Sequence, residues 1–284
     1  MPTIDHDGRR IGYEDTGEGA TLLLLPPGAS PAAVWRPLME RLAGRFRLVA
    51  VNFSGYGETE RLGDDMPMNL EAEAQAVTAV AAVAGLLDRP IHLVGHSYGG
   101  AVALRLALAG ALPLASLTLI EPASYQLLRQ AGEEALAGEE ALADEVERVN
   151  FSYIETVAAG DHEAALRAYI DYYTTGPGAW DAMPEKARAR LLGIAEVVSR
   201  ALASAHGESA RLDDVRRLTV PSSVIHGAET TATHARVSEL LAEAIPGARL
   251  EVVAQAAHML TLTHPDEAAR LLVAFIENLG ADLS

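Results

Sequence analysis

Cysteine is absent from all 284 residues. Disulfides, thiolate nucleophiles and cysteine-held zinc or iron–sulfur centres are therefore excluded, while no compartment is identified. Lysine is nearly absent as well. Lys186 is the only one, in an arginine-rich stretch that reads as an exposed helix, and a Schiff-base mechanism would have to use it. Positive charge is scarce overall: Lys+Arg 22 against Asp+Glu 39 gives a formal net charge of −17. A surface that acidic repels phosphate backbones and anionic membranes, so neither nucleic acid nor a membrane is an expected partner. No apolar run approaches the roughly 20 residues that cross a bilayer. The N-terminus, "MPTIDHDGRR", has no cationic segment followed by an apolar one. The expectation is a cytoplasmic protein acting on a small molecule, with homo-oligomer formation left open. The histidines lack metal-ligand spacing, and "NFSGYGETE" has neither a third glycine in register nor a helix opening there, so no metal and no cofactor are expected. That glycine pair reads as a structural turn near a pocket.

What is present is a regular alternation. "TIDHDGRRIGYED" alternates around Asp7-Gly8, a pair that tolerates positive φ and suits a hairpin turn. Short apolar runs follow at 21–26, 47–53, 91–95, 117–122, 222–227 and 249–254. Continuous runs suit strands buried on both faces of a parallel sheet. Segments 69–88, 98–110, 234–247 and 265–280 carry apolar residues at helical spacing. Strand–helix alternation implies right-handed crossovers and a doubly wound α/β sheet. Between Pro122 and about Asp213 the pattern breaks into Ala-, Glu- and Arg-rich sequence with Tyr153, Tyr169, Tyr172, Tyr173 and Trp180. This reads as an inserted helical cap, giving a core of residues 1–122 and 213–284 and a cap of 123–212. Most of the aromatics are expected to pack cap helices together. The duplicated "AGEEALA" within 131–145 is expected to be a solvated helical face.

The chemistry concentrates in "IHLVGHSYGGAVALRLAL". An apolar strand runs into G-H-S-Y-G, and a helix follows at once, the context a nucleophile elbow requires. The tight turn strains the serine, and small residues two positions away avoid collision. The competing reading is a glycine-flanked serine serving as a turn. A serine hydroxyl needs a base, and the base a carboxylate to orient it. His258, shortly after the last apolar run, is the candidate base. His264 competes, but its place before Pro265 at a helix start suits a structural contact. His96 is expected to pack under the elbow, and His226 to belong to a strand end.

On "GHSYGG", "AAHMLTLTHP" and "AIPGARLEVV" the chain resembles the α/β-hydrolase fold superfamily almost end to end. The resemblance implies an eight-stranded, mostly parallel sheet, a nucleophile–acid–histidine order and an oxyanion hole of two backbone amides. Carried over, one donor is Tyr98, at a helix N-terminus. The other falls in "PPGASPAAVW", where Pro26-Pro27 replaces the usual His-Gly. Proline has no N–H, so Gly28 is the candidate, or Ala29 if the loop is shifted by one. The acid departs too: relatives place an aspartate where "HGAETTATH" has Thr230. Glu121, at the end of the preceding strand in "LTLIEP", is the preferred acid, and Glu229 the alternative. A buried glutamate there needs a partner, and His258 is available. These features imply a serine hydrolase acting on a carboxylic ester or lactone. Two alternatives stand: C–C bond hydrolysis, lyase or cofactor-free cyclase chemistry on the same fold, and an inactive small-molecule receptor.

Overall fold

The computed structural model describes residues 1–63, 68–130, 137–174 and 176–281. Strands β1 (Thr3–His6) and β2 (Arg9–Thr16) form the expected hairpin, with Asp7 and Gly8 at φ 52° and 73°. Positive φ at both turn positions matches the right-handed twist of the strands. The six apolar runs become β3 (Thr21–Leu25), β4 (Arg47–Val51), β5 (Ile91–His96), β6 (Leu114–Ile120), β7 (Ser222–Gly227) and β8 (Arg249–Val253). They join the hairpin in one eight-stranded sheet of order β1-β2-β4-β3-β5-β6-β7-β8. From β4 to β8 every pairing is parallel, and only the hairpin end is antiparallel.

Burial follows sheet position. β3 lies between β4 and β5 and is buried throughout, as a run of leucines covered by helices on both faces requires. β8, by contrast, is an edge strand whose Leu250 and Val252 remain exposed, so an apolar run alone does not guarantee a central strand. Helices Leu70–Val83, Tyr98–Ala109, Ala232–Ala244 and Pro265–Ala281 fall on the four helical segments read from the sequence. Asn69 and Thr231 cap the first and third of these through side-chain oxygens.

Between β6 and β7 the described residues are helical, from the 3₁₀ turn Tyr125–Gln130 through Ala137–Ala158, His162–Tyr173, Ala179–Ala182, Glu185–Leu192 and Ala195–His206 to Leu212–Val215. The last helix straddles the expected 212/213 boundary. The buried faces of these helices continue the core on one side of the sheet, while the other side holds a second cluster around Trp35. Lys186 is exposed in Glu185–Leu192, as read. The duplicated segment departs from expectation in one place. Its residues 131–136 lie outside the described residues, and in the helical remainder Glu139 is buried and paired with Arg236 at 2.7 Å instead of facing solvent.

Candidate active site

The elbow is as tight as the sequence demands. Ser97 has φ 53° and ψ −117°, a conformation that side chains rarely adopt. Its backbone is held by Ser97 N donating to Ile120 O at 2.9 Å and by its carbonyl accepting from Ala101 and Ala123. Glycine is required on both sides. A Cβ at Gly95 would strike Gly99, and one at Gly99 would strike the Leu25 and Pro26 carbonyls, so the loop after β3 lies directly on the elbow.

His258 follows β8 and lies over that serine. Its Nε2 is 3.0 Å from Ser97 Oγ, and its Nδ1 is 2.6 Å from Glu121 Oε2. Because a carboxylate only accepts, Nδ1 carries the proton and Nε2 is left to accept from the serine. Glu121 sits one residue past β6 with φ 42°, fully buried. Gly227 N donates to its Oε1 at 2.7 Å, and the Thr230 hydroxyl to its Oε2 at 2.6 Å. Burial alone would raise the carboxyl pKa. The hydrogen bond and charge of His258, with the Thr230 bond, outweigh that and lower it to about 2. Glu229, the alternative acid, is exposed. Thr230, at the position where relatives carry aspartate, donates to the carboxylate supplied by the neighbouring strand.

The other histidines separate cleanly. His96, buried beneath the elbow, approaches the His258 carbonyl through Nε2 at 2.8 Å, so Nε2 holds its proton and Nδ1 accepts from Thr261. Burial and the neighbouring His258 push its pKa down to about 3, so it is a neutral strut. His226 turns its Nδ1 to Gly227 at the end of β7, and His264 pairs with Thr263. His234 was not singled out by the sequence reading. It stacks on His258 with centroids 4.1 Å apart at 28°, and meets Tyr125 and Thr231 through its two nitrogens. Burial, then His258, holds its pKa well below the imidazole range. Its only sequence signal is a histidine in the first turn of an amphipathic helix, which resembles ordinary core packing. Glu121, His234 and His258 are the one trio among the described residues with donor atoms close enough to share a cation. Each of those donor atoms already has a hydrogen-bond partner, so a cation would have to displace the chain just described.

The residues of the two candidate donor amides, Gly28 and Tyr98, line the same small cavity as Ser97. Tyr98 N opens helix Tyr98–Ala109, where the first amides have no intrahelical acceptor. In the loop after β3 the choice between Gly28 and Ala29 is made by Tyr56, whose hydroxyl accepts from Ala29 N at 3.1 Å. The Ala29 amide is thereby occupied. Gly28 N has no protein acceptor among the described residues. Asn52 Oδ1 accepts from Ala32 N at 2.6 Å, so the "NFSGYG" loop tethers this strip at two points.

Gly28, Ser97, Tyr98, Ala123, Tyr125, Tyr169, Tyr173 and one face of helix Ala195–His206 enclose a cavity of about 20 Å³. That is room for about one water. Of the five aromatics named from the sequence, Tyr169 and Tyr173 line this cavity, while Tyr153 and Trp180 are buried outside its lining. A far larger open cleft of about 660 Å³ lies elsewhere, lined by Arg105, Glu208, Asp214 and Arg217. It contains no serine–histidine pair, so size does not locate the chemistry. No helix among the described residues is long and apolar enough to cross a membrane.

Known proteins agree with this architecture. A 2-hydroxymuconate semialdehyde hydrolase from Pseudomonas sp. strain CF600 is 28% identical over 96% of this chain and 93% of its own. The pimeloyl-(acyl-carrier protein) methyl ester esterase of Aeromonas hydrophila is 26% identical over 94% of this chain and 99% of its own. Among solved structures, a thermophilic esterase from Thermogutta terrifontis superposes with a TM-score of 0.77 at 20% identity, covering 98% of this chain and 97% of that one. The alpha/beta hydrolase family pattern matches residues 22–271, and the chain belongs to that family.

Proposed function

We propose that the chain is a serine hydrolase that cleaves a carboxylic ester or lactone of a small apolar molecule through an acyl-enzyme on Ser97. The observation that carries this reading is the unbroken hydrogen-bonded chain from Ser97 Oγ through His258 to the buried Glu121. His258 Nε2 removes the hydroxyl proton as Ser97 attacks the carbonyl carbon. The oxyanion forms between the Gly28 and Tyr98 amides, where the helix N-terminus adds favourable charge. His258 then protonates the leaving oxygen, and a water that it deprotonates releases the acid. Glu121 keeps the imidazole in the required tautomer and stabilises its charged form. No cofactor enters any of these steps.

Residues 123–212 act as a cap over this site. The wall that they supply through Val198, Ala201, Leu202 and Ala205 is apolar, which favours an aliphatic or aromatic acyl group over a sugar or nucleotide. With room for a single water, the cap helices must shift for a substrate to enter. A second reading, hydrolysis of a C–C bond, draws on the 2-hydroxymuconate semialdehyde hydrolase relative and uses the same serine and histidine.

Fluorophosphonate labelling tests the class. The parent protein should label on Ser97, and Ser97→Ala should fold normally, fail to label and lose turnover on p-nitrophenyl esters. A folded parent that neither labels nor turns over any ester, lactone or vinylogous diketone would leave a binding module as the better description. Activity on the diketone alone would favour C–C cleavage.

A further inference from the structure

Four tyrosines line the cavity above Ser97: Tyr98, Tyr125, Tyr169 and Tyr173. Three of their hydroxyls are engaged within the protein. Tyr98 meets Ser204 at 3.3 Å, Tyr125 meets His234 Nε2 at 2.9 Å, and Tyr173 donates to Asn150 Oδ1 at 2.8 Å. Tyr169 is different: among the described residues its hydroxyl has no partner. The hydroxyl is not sealed off, being absent from the buried atoms that lack any partner: it borders the cavity, so the donor that the protein leaves unused is open to a water or a substrate oxygen above Ser97.

The ring of Tyr169 is not free to seek a partner elsewhere. It packs between Tyr153 and Tyr173, with centroids at 5.3 Å and 4.7 Å. Its hydroxyl is fixed beside the loop after β3, 3.8 Å from the point a Cβ on Gly28 would occupy, and Tyr98 Cβ is 3.7 Å from that same point. The hydroxyl, Gly28 and Tyr98 therefore border one small space beside Ser97. The remaining walls, Ala123, Val198, Ala201, Leu202 and Ala205, carry no side-chain donor or acceptor.

We propose that Tyr169 is a catalytic residue, a third oxyanion donor whose hydroxyl hydrogen-bonds the charge that develops on the substrate carbonyl oxygen beside the Gly28 and Tyr98 amides. The proposal rests on the acyl-transfer reading above and adds the donor that the core alone does not supply. Burial holds the phenol pKa up at about 12, so the group remains an O–H donor at any working pH. Because Tyr169 belongs to helix His162–Tyr173, the oxyanion site is complete only when that helix lies over the sheet edge. Catalysis and cap position are thereby linked through one hydroxyl.

Tyr169→Phe isolates the group, since it keeps the ring and its packing. On a p-nitrophenyl ester, kcat should fall on the order of 10- to 100-fold with KM changed by less than about threefold, the pattern of a bond made only in the transition state. Affinity for a trifluoromethyl ketone, which forms an oxyanion on Ser97, should fall by a similar factor. A fluorinated tyrosine at 169, whose phenol ionises at lower pH, should introduce a new alkaline loss of kcat that the parent lacks. The proposal is overturned if Tyr169→Phe leaves kcat unchanged, or raises KM alone, which would mean a grip on a ground-state group. Failure of the parent to label with fluorophosphonate would remove the acyl-transfer reading itself, whereas labelling with an indifferent Tyr169→Phe would remove only the third donor.

Discussion

Glu121→Gln is the most discriminating perturbation, because glutamine matches glutamate in shape while changing which atoms accept. The carboxylate receives three hydrogen bonds: Gly227 N on Oε1 at 2.7 Å, and Thr230 Oγ1 and His258 Nδ1 on Oε2, each at 2.6 Å. Glutamine has one acceptor oxygen and an NH₂ that only donates. With its oxygen at the Oε2 position, the NH₂ faces the Gly227 N–H, and a buried bond worth about 1–3 kcal/mol is lost. Turned round, the oxygen accepts from Gly227, the Thr230 hydroxyl rotates to accept from the amide, and His258 moves its proton to Nε2. The second arrangement sets no donor against another donor, so it prevails, and it points an N–H at Ser97. The histidine can then no longer accept the serine proton. By comparison with the aspartate-to-asparagine change in serine-protease triads, kcat should fall on the order of 10⁴-fold. The assay is steady-state ester hydrolysis alongside the rate of fluorophosphonate labelling, with the unfolding midpoint as a control for folding. Glu229→Gln is the internal contrast: that carboxylate is exposed, and its removal should change kcat by less than about twofold. A Glu121→Gln enzyme within about tenfold of the parent, or a larger loss from Glu229→Gln, would refute the assignment.

Thr230→Val removes one of the three donors to Glu121 without changing volume; kcat should drop on the order of tenfold, and an unchanged kcat would show that Gly227 and His258 suffice. Glu121 is charged above about 2 and His96, lowered to about 3, is neutral above that value, so neither should change charge between about pH 4 and 7; an NMR titration showing the His96 imidazole protonating within that range would contradict this account. Gly99→Ala should destabilise the fold by about 1–3 kcal/mol or more in urea unfolding, since the added methyl meets the fixed carbonyls of Leu25 and Pro26 and not a flexible side chain. A parent-like midpoint would mean that the elbow can move away from the β3 loop.

Signals that act over a few residues were legible in the sequence. Leucines at 22–25 read as a buried strand, Asp7-Gly8 as a tight turn, and the glycines two residues either side of Ser97, between an apolar run and a helix, as an elbow where a Cβ would collide. Each follows from local sterics, which the neighbouring residues contain in full. The carboxylate was a different problem, because Glu121 and Glu229 each follow a strand, and the preference for Glu121 rested on the resemblance and on a buried carboxylate needing a partner, not on the residues beside it. β6 and β7 lie side by side, with Ile120 opposite Ile225, so one edge of the sheet offers both positions to His258. Only the side-chain geometry brings Glu121 within 2.6 Å and makes Thr230 its donor. The same holds for the loop after β3, where the choice between Gly28 and Ala29 depends on a hydroxyl 27 residues downstream, on Tyr56. His234, and the place of Tyr169 above Ser97, were not legible for a related reason. Periodicity records which face of a helix is buried, whereas what that face touches depends on how the helix docks. Docking sums many weak contacts between distant segments, and so only the tertiary structure decided which buried polar groups converge on Ser97.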